Sequence, residues 1–133
     1  MNKESVMVVL VHGFAASPLV MVPLARRLSQ LGYMTLNWGY KSFTKSIEVH
    51  GMRLADVLKE LDLKEQIETI HLVGHSMGTV VIRCALKAYR PQKLGRLVLV
   101  TPPTKGVRFA SLIGPVMKRL TRTIDELSAR PDS

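Results

Sequence analysis

Val73-Gly74-His75-Ser76-Met77-Gly78 stands between a β-branched apolar run at residues 67–73 and a helical run at residues 79–89. A Gly-x-Ser-x-Gly between a strand and a helix describes a nucleophile elbow, a sharp turn that lifts a serine hydroxyl above the edge of a sheet. Gly74 and Gly78 are required because Ser76 sits at strained backbone angles, with strand and helix passing too close for a Cβ. The helix that follows aims its free N–H groups and the positive end of its dipole back at the serine, where an oxyanion would form. A glycine-rich turn that merely connects is the competing reading; the strand before it and the helix after it favour the elbow.

Working outward, residues 6–11 are another continuous apolar run, ending in His12-Gly13. Such runs belong to strands buried on both faces, hence to a parallel sheet covered by helices. Ser17 and Pro18 have the residue types of an N-cap and a first helical position. The helix they begin is expected to turn Leu19, Val22, Leu24, Leu28 and Leu31 inward and Arg26, Arg27 and Gln30 outward, with Gly32 ending it. Residues 33–38 read as a second strand and 46–61 as a second helix, with Ile47, Met52, Leu54, Val57, Leu58 and Leu61 on its apolar side, His50 solvated and Gly51 slightly weakening. The helix after the elbow stops near Arg90-Pro91. Residues 96–100 form a fourth strand, followed by the loop 101–106.

The pattern β-α-β-α-β-α-β predicts an α/β fold: a three-layer sandwich with a mainly parallel, four-stranded sheet and helices on both faces. It is one domain over residues 1–133, with a core at 6–106 and a C-terminal helical or lid-like segment at 107–133. In that segment Ile113, Val116, Met117, Leu120, Ile124 and Leu127 recur at helical spacing opposite Lys118, Arg119 and Arg122, as an amphipathic helix would place them. It could cap the sheet, form a lid over the site or touch a membrane surface, packing being expected over membrane contact.

The chain's 133 residues are 47% hydrophobic and 22% charged, which is globular. The net charge of +9 could attract nucleic acid or anionic lipid. The basic residues are nevertheless scattered, with no run of four and no interleaved aromatics, so solvated faces are expected and nucleic acid is not a partner. The single cysteine, Cys84, excludes an internal disulfide and fits a reducing compartment, packed within an apolar helix. No apolar stretch approaches the ~20 residues of a membrane helix, and residues 7–11 are too short for a secretion signal. A cytoplasmic location is expected.

Every chemically suggestive residue falls at a strand end, where open α/β sheets bind ligands. His12-Gly13-Phe14 follows the first strand, Trp38-Gly39-Tyr40 the second, Ser76 the third and Thr101-Pro102-Pro103 the fourth. The stretches Val-Leu-Val-His-Gly-Phe at 9–14, Leu-Val-Gly-His-Ser-Met-Gly at 72–78 and Leu-Val-Thr-Pro-Pro-Thr-Lys-Gly at 99–106 together resemble the α/β-hydrolase superfamily. More narrowly they are similar to a small bacterial lipase/esterase-like branch related to class 2 lipases and PGAP1-type proteins. The resemblance implies that Ser76 is the nucleophile and that the backbone N–H groups of Phe14 and Met77 form the oxyanion hole. It also implies that His12, Gly13, Tyr40, Gly74, His75, Gly78 and Pro102 shape the site. His12 is expected to organise its loop, His75 to point away from the nucleophile into the packing beneath the elbow, and His71 to be a satisfied core histidine. Gly39, Tyr40 and residues 109–116 are candidates for an acyl pocket.

The chain departs from that family in one respect. A serine needs a histidine to take its proton and an acid to fix that histidine, and the family order is Ser, then Asp or Glu, then His. No histidine follows His75, and Asp125, Glu126 and Asp132 end no recognisable strand. A partial α/β-hydrolase fold is therefore expected, truncated before the acid and histidine, with an open sheet edge that could pair with another chain. The resemblance implies a serine-nucleophile ester hydrolase acting through an acyl-enzyme on a small ester or lipid. The alternative is an inactive hydrolase-like binding module, or a fragment needing a partner chain. No metal-ligand spacing, phosphate loop or dinucleotide fingerprint is present, so neither metal nor cofactor is expected.

Overall fold

The computed structural model describes residues 2–13, 17–42 and 44–100. β1 (Val6–Val11) is the first apolar run, and only Met7 within it is more than marginally exposed. β2 (Met34–Trp38), β3 (Thr69–His75) and β4 (Leu94–Val100) join it in one parallel sheet, in the order β2-β1-β3-β4. Parallel neighbours need helical crossovers, supplied by α1 (Val22–Gln30), α2 (Ile47–Asp62) and α3 (Met77–Ala88). The chain steps from β1 out to β2, then back across β1 to β3 and β4. Crossovers of one hand then put α1 on one face and α2 and α3 on the other. Two apolar clusters record this: Val6, Val8, Leu10 and Val73 with Met21, Ala25 and Leu28 of the α1 side, and Val9, Val11, Ile70 and Leu72 with α2 and α3. The expected three-layer α/β sandwich is the observed one.

Local chemistry sets the element ends. Ser46 caps α2, its hydroxyl accepting the Val49 N–H at 3.3 Å, and Gly32 turns the chain out of α1 at φ 101°. Ser17 also caps, but what it caps is a 3₁₀ turn, Pro18–Met21, which precedes α1. That turn corrects the expected helix face. A 3₁₀ segment advances about three residues per turn rather than 3.6, so the apolar stripe is rotated. Met21, Ala25 and Leu28 meet the sheet, while Leu19 is 76% exposed and Leu24 and Leu31 are also exposed.

α2 departs from expectation at two positions. Met52 is exposed, whereas His50, expected in solvent, is 1% exposed. Gly51 also has a packing role: a Cβ there would stand 2.6 Å from the Cβ of Cys84, so its absence lets α2 lie close against α3. Cys84 packs at the margin of the larger core.

β4 has β3 on one side and no strand on the other among the described residues. Leu97, Val98 and Val100 are 43%, 47% and 42% exposed. Residues 107–133, for which a helical segment is expected, lie outside the described residues. No helix among the described residues is long and apolar enough to cross a membrane.

Candidate active site

Four parallel strands deliver their C-terminal ends to one rim, so Val11, Trp38, His75 and Val100 finish side by side. The reversal of strand order falls between β1 and β3, where Gly13 and Ser76 emerge. Ser76 occupies φ 53°, ψ −120°, and among the described residues it is the non-glycine residue with positive φ. An L side chain there is strained by about 1–3 kcal/mol, so the surroundings must impose it.

The imposing contacts are specific. The Ser76 N–H donates to the Val100 carbonyl at 3.0 Å, and the Ser76 carbonyl accepts the Thr79 N–H at 3.0 Å and the Thr79 hydroxyl at 2.7 Å. A Cβ on Gly74 would lie 2.7 Å from Ile82 Cδ1 and 3.0 Å from the Thr79 nitrogen. A Cβ on Gly78 would run into the carbonyl oxygens of Val11 and His12, so the first turn of α3 is seated on the end of β1. α3 begins without a side-chain cap. Its first N–H groups and positive dipole end are therefore left facing the rim, suited to a developing negative charge.

The turn after β1 lies directly against the serine. A Cβ on Gly13 would be 3.2 Å from Ser76 Cβ and 3.3 Å from His75 Nδ1. His75 is half-buried on the α1 side of β3, beside Gly13. The Met77 N–H opens α3, while Phe14 and Pro102 lie outside the described residues, as do residues 109–116.

His12 is buried, with both ring nitrogens engaged. Nδ1–H donates to the Gly13 carbonyl at 2.9 Å and Nε2 accepts the Tyr40 N–H at 3.2 Å, which together fix a neutral tautomer. Burial lowers its pKa, outweighing those two backbone bonds. Tyr40 holds His12 a second time, its hydroxyl donating to the His12 carbonyl at 2.7 Å and its ring stacked at 4.2 Å. Burial pushes the Tyr40 phenol above its ordinary range. The stack continues to Trp38 at 5.3 Å and, tilted, to His50 at 4.7 Å. Among the described residues neither nitrogen of His50 has a well-formed hydrogen bond, and burial, then the Arg53 charge, lower its pKa against a weaker opposing pull from the Lys41 backbone.

His71 is only half-buried, and its Nδ1 accepts the Arg96 N–H at 2.8 Å. Two signals for these histidines were present in the chain. His50 falls in helical phase with Ile47, Leu54 and Leu58, and an isolated glycine inside an apolar run, Gly95, marks a bulge opposite His71.

Similar proteins and solved structures are known. The chain is 31% identical over 98 residues to a putative esterase/lipase of Mycoplasma pneumoniae, covering 71% of this chain and 36% of that protein. It thus spans about a third of that relative. An extracellular alpha/beta-hydrolase from a Paenibacillus species superposes with a TM-score of 0.61 at 26% identity, over 73% of this chain and 40% of the other. The propeptide form of the Bacillus licheniformis lipase BlEst2 gives a TM-score of 0.76 over 98% of this chain and 31% of its own, at 19% identity, a likeness of fold alone. Residues 8–132 match the family model described as alpha/beta hydrolase. With its parallel sheet, its elbow and that match, the chain belongs to the alpha/beta hydrolase family.

Proposed function

We propose that the chain carries the nucleophile half of a serine ester hydrolase of lipase or esterase type. The observation that carries this reading is the backbone of Ser76, held at positive φ between β3 and α3 with Gly13 against it. A connecting turn with these angles normally carries glycine, whereas a serine held there suits a nucleophile that must stand clear of the sheet. In the proposed reaction Ser76 Oγ attacks an ester carbonyl as a base removes its proton. The N–H groups of Met77 and Phe14 hold the oxyanion, the alkoxide departs with a proton, and water then releases the acid from the acyl-enzyme.

The base for Ser76 is unassigned among the residues described. All four histidines precede Ser76 in the chain, His12 has both nitrogens committed, and His71 has Nδ1 committed. These commitments favour a second reading, a hydrolase-like module that binds at the rim without turnover or that receives its base from another chain.

A fluorophosphonate probe separates the two. Labelling of Ser76, located by peptide mass spectrometry and absent in Ser76→Ala, supports the nucleophile. A silent probe on folded protein together with saturable ligand binding would establish the module instead.

A further inference from the structure

β4 does not pair evenly with β3. Ile70 faces Leu94 and Leu72 faces Leu97, so a step of two residues on β3 spans a step of three on β4. The extra residue is a bulge, with Gly95 and Arg96 both opposite His71. The imidazole occupies the gap: Nδ1 accepts the Arg96 N–H at 2.8 Å, and the ring lies where a Cβ on Gly95 would be. From the bulge onward the register runs Val73–Val98, Gly74–Leu99 and His75–Val100. The last of these presents the carbonyl that takes the Ser76 N–H.

We propose that His71 is a positioning residue for Ser76: as a neutral imidazole it fastens the bulge, and the bulge sets which β4 carbonyl meets the elbow. Its consequence for turnover rests on the serine chemistry proposed above; its consequence for the backbone does not. A one-residue slip in β4 would exchange the two faces of the strand and take the Val100 carbonyl from the elbow. Among the described residues β4 takes its register from β3 alone.

Protonation would abolish the bond. A protonated Nδ1 is a donor, so it would set N–H against the Arg96 N–H and place a cation beside the Arg96 side chain. Among the described residues, Arg96 of β4 is the charged group that acts on the ring. β1 presents Val8, in register with His71, and β3 itself contributes Thr69, which also flanks Gly95. Burial, then Arg96, lowers the His71 pKa, in keeping with a group folded in its neutral form.

Amide hydrogen exchange followed by NMR tests this on the whole chain, comparing wild type with His71→Asn. The asparagine Oδ1 can accept the same N–H but does not titrate. In wild type, β4 amides and the Ser76 amide should lose protection in acid relative to β1, by about tenfold per pH unit below the His71 pKa once intrinsic rates are divided out. In His71→Asn that relative loss should vanish, and its probe labelling at Ser76 should exceed wild type increasingly as pH falls. Equal acid dependence in both proteins, or none in wild type, overturns the proposal. If the variant does not fold, the Arg96 and Ser76 amide shifts of wild type must titrate with the His71 ring; amides that stay still would equally sink the idea. Absence of labelling in both proteins at every pH would remove the ester-hydrolase reading and leave the exchange result standing.

Discussion

Ser76 shows what a single residue costs the fold for the sake of its position. Its backbone is strained, while Val100, Thr79, Gly74 and Gly78 surround it with contacts that permit no relaxation. Glycine at 76 would occupy the same angles without the Cβ penalty, at some loss from greater freedom when unfolded. We expect Ser76→Gly to be more stable than wild type by about 1 kcal/mol in urea titration, and inert to the fluorophosphonate. A variant no more stable than wild type would mean that the turn stores no strain. Ser76→Ala keeps the Cβ and should leave the urea midpoint nearly where it is. His12 is the residue-scale counterpart on the other wall: its two nitrogens and its carbonyl are all spent on Gly13 and Tyr40. Tyr40→Phe deletes the hydroxyl bond while keeping the ring stack. It should lower stability by about 1 kcal/mol, the usual worth of a neutral hydrogen bond.

At the scale of elements, α2 and α3 pack closely at Gly51 and Cys84. Gly51 to alanine adds helix propensity worth up to about 1 kcal/mol, but the new methyl meets the Cβ and backbone of Cys84, which cannot swing away. Overpacking of this kind costs about 1–3 kcal/mol, so Gly51→Ala should lower the urea midpoint; an increase would mean that the helices can part freely. The same helix shows which features were legible in the chain. Its span was visible from the apolar period that begins at Ile47, and β1 and β3 because their β-branched runs have few alternatives. The elbow was visible from residue identity alone, since two glycines around a serine fit few backbones. The burial of His50 was not legible from residue type, because a polar ring without partners is rare in a core, although its helical phase is that of Ile47 and Leu54. The face of α1 was not legible because a proline-led 3₁₀ turn shifts phase without changing composition. The His71 bond depends on pairing with a strand 25 residues away, which no local pattern encodes.

For the molecule as a whole, three histidines fold in the neutral form. His12, His50 and His71 all have pKa values lowered from the ordinary 6.5, each chiefly by burial. A depressed folded pKa means that the unfolded chain takes up the proton more readily. Their contribution to stability is therefore complete above about pH 6.5 and is lost as pH falls through the lowered values. We expect unfolding free energy to be flat near pH 7.5 and to decline below pH 6.5, by at most ~1.4 kcal/mol per pH unit for each histidine that titrates. Urea titrations across this range would show it, and a midpoint rising toward pH 5 would contradict the burial of neutral rings. The Asp62 carboxyl does not confuse the window. Burial alone would raise its pKa, but bonds from the Tyr89 hydroxyl and the Gln92 and Lys93 N–H groups hold it below 3.8. The stack of rings at the rim has an optical corollary. Trp38 is the only tryptophan in the chain, and its indole lies 5.3 Å from Tyr40, whose ring in turn covers the imidazole next to Gly13. Intrinsic indole emission is therefore a native, label-free gauge of the loop beside the serine. Colour and quantum yield should respond to occupancy of the rim before any product is formed.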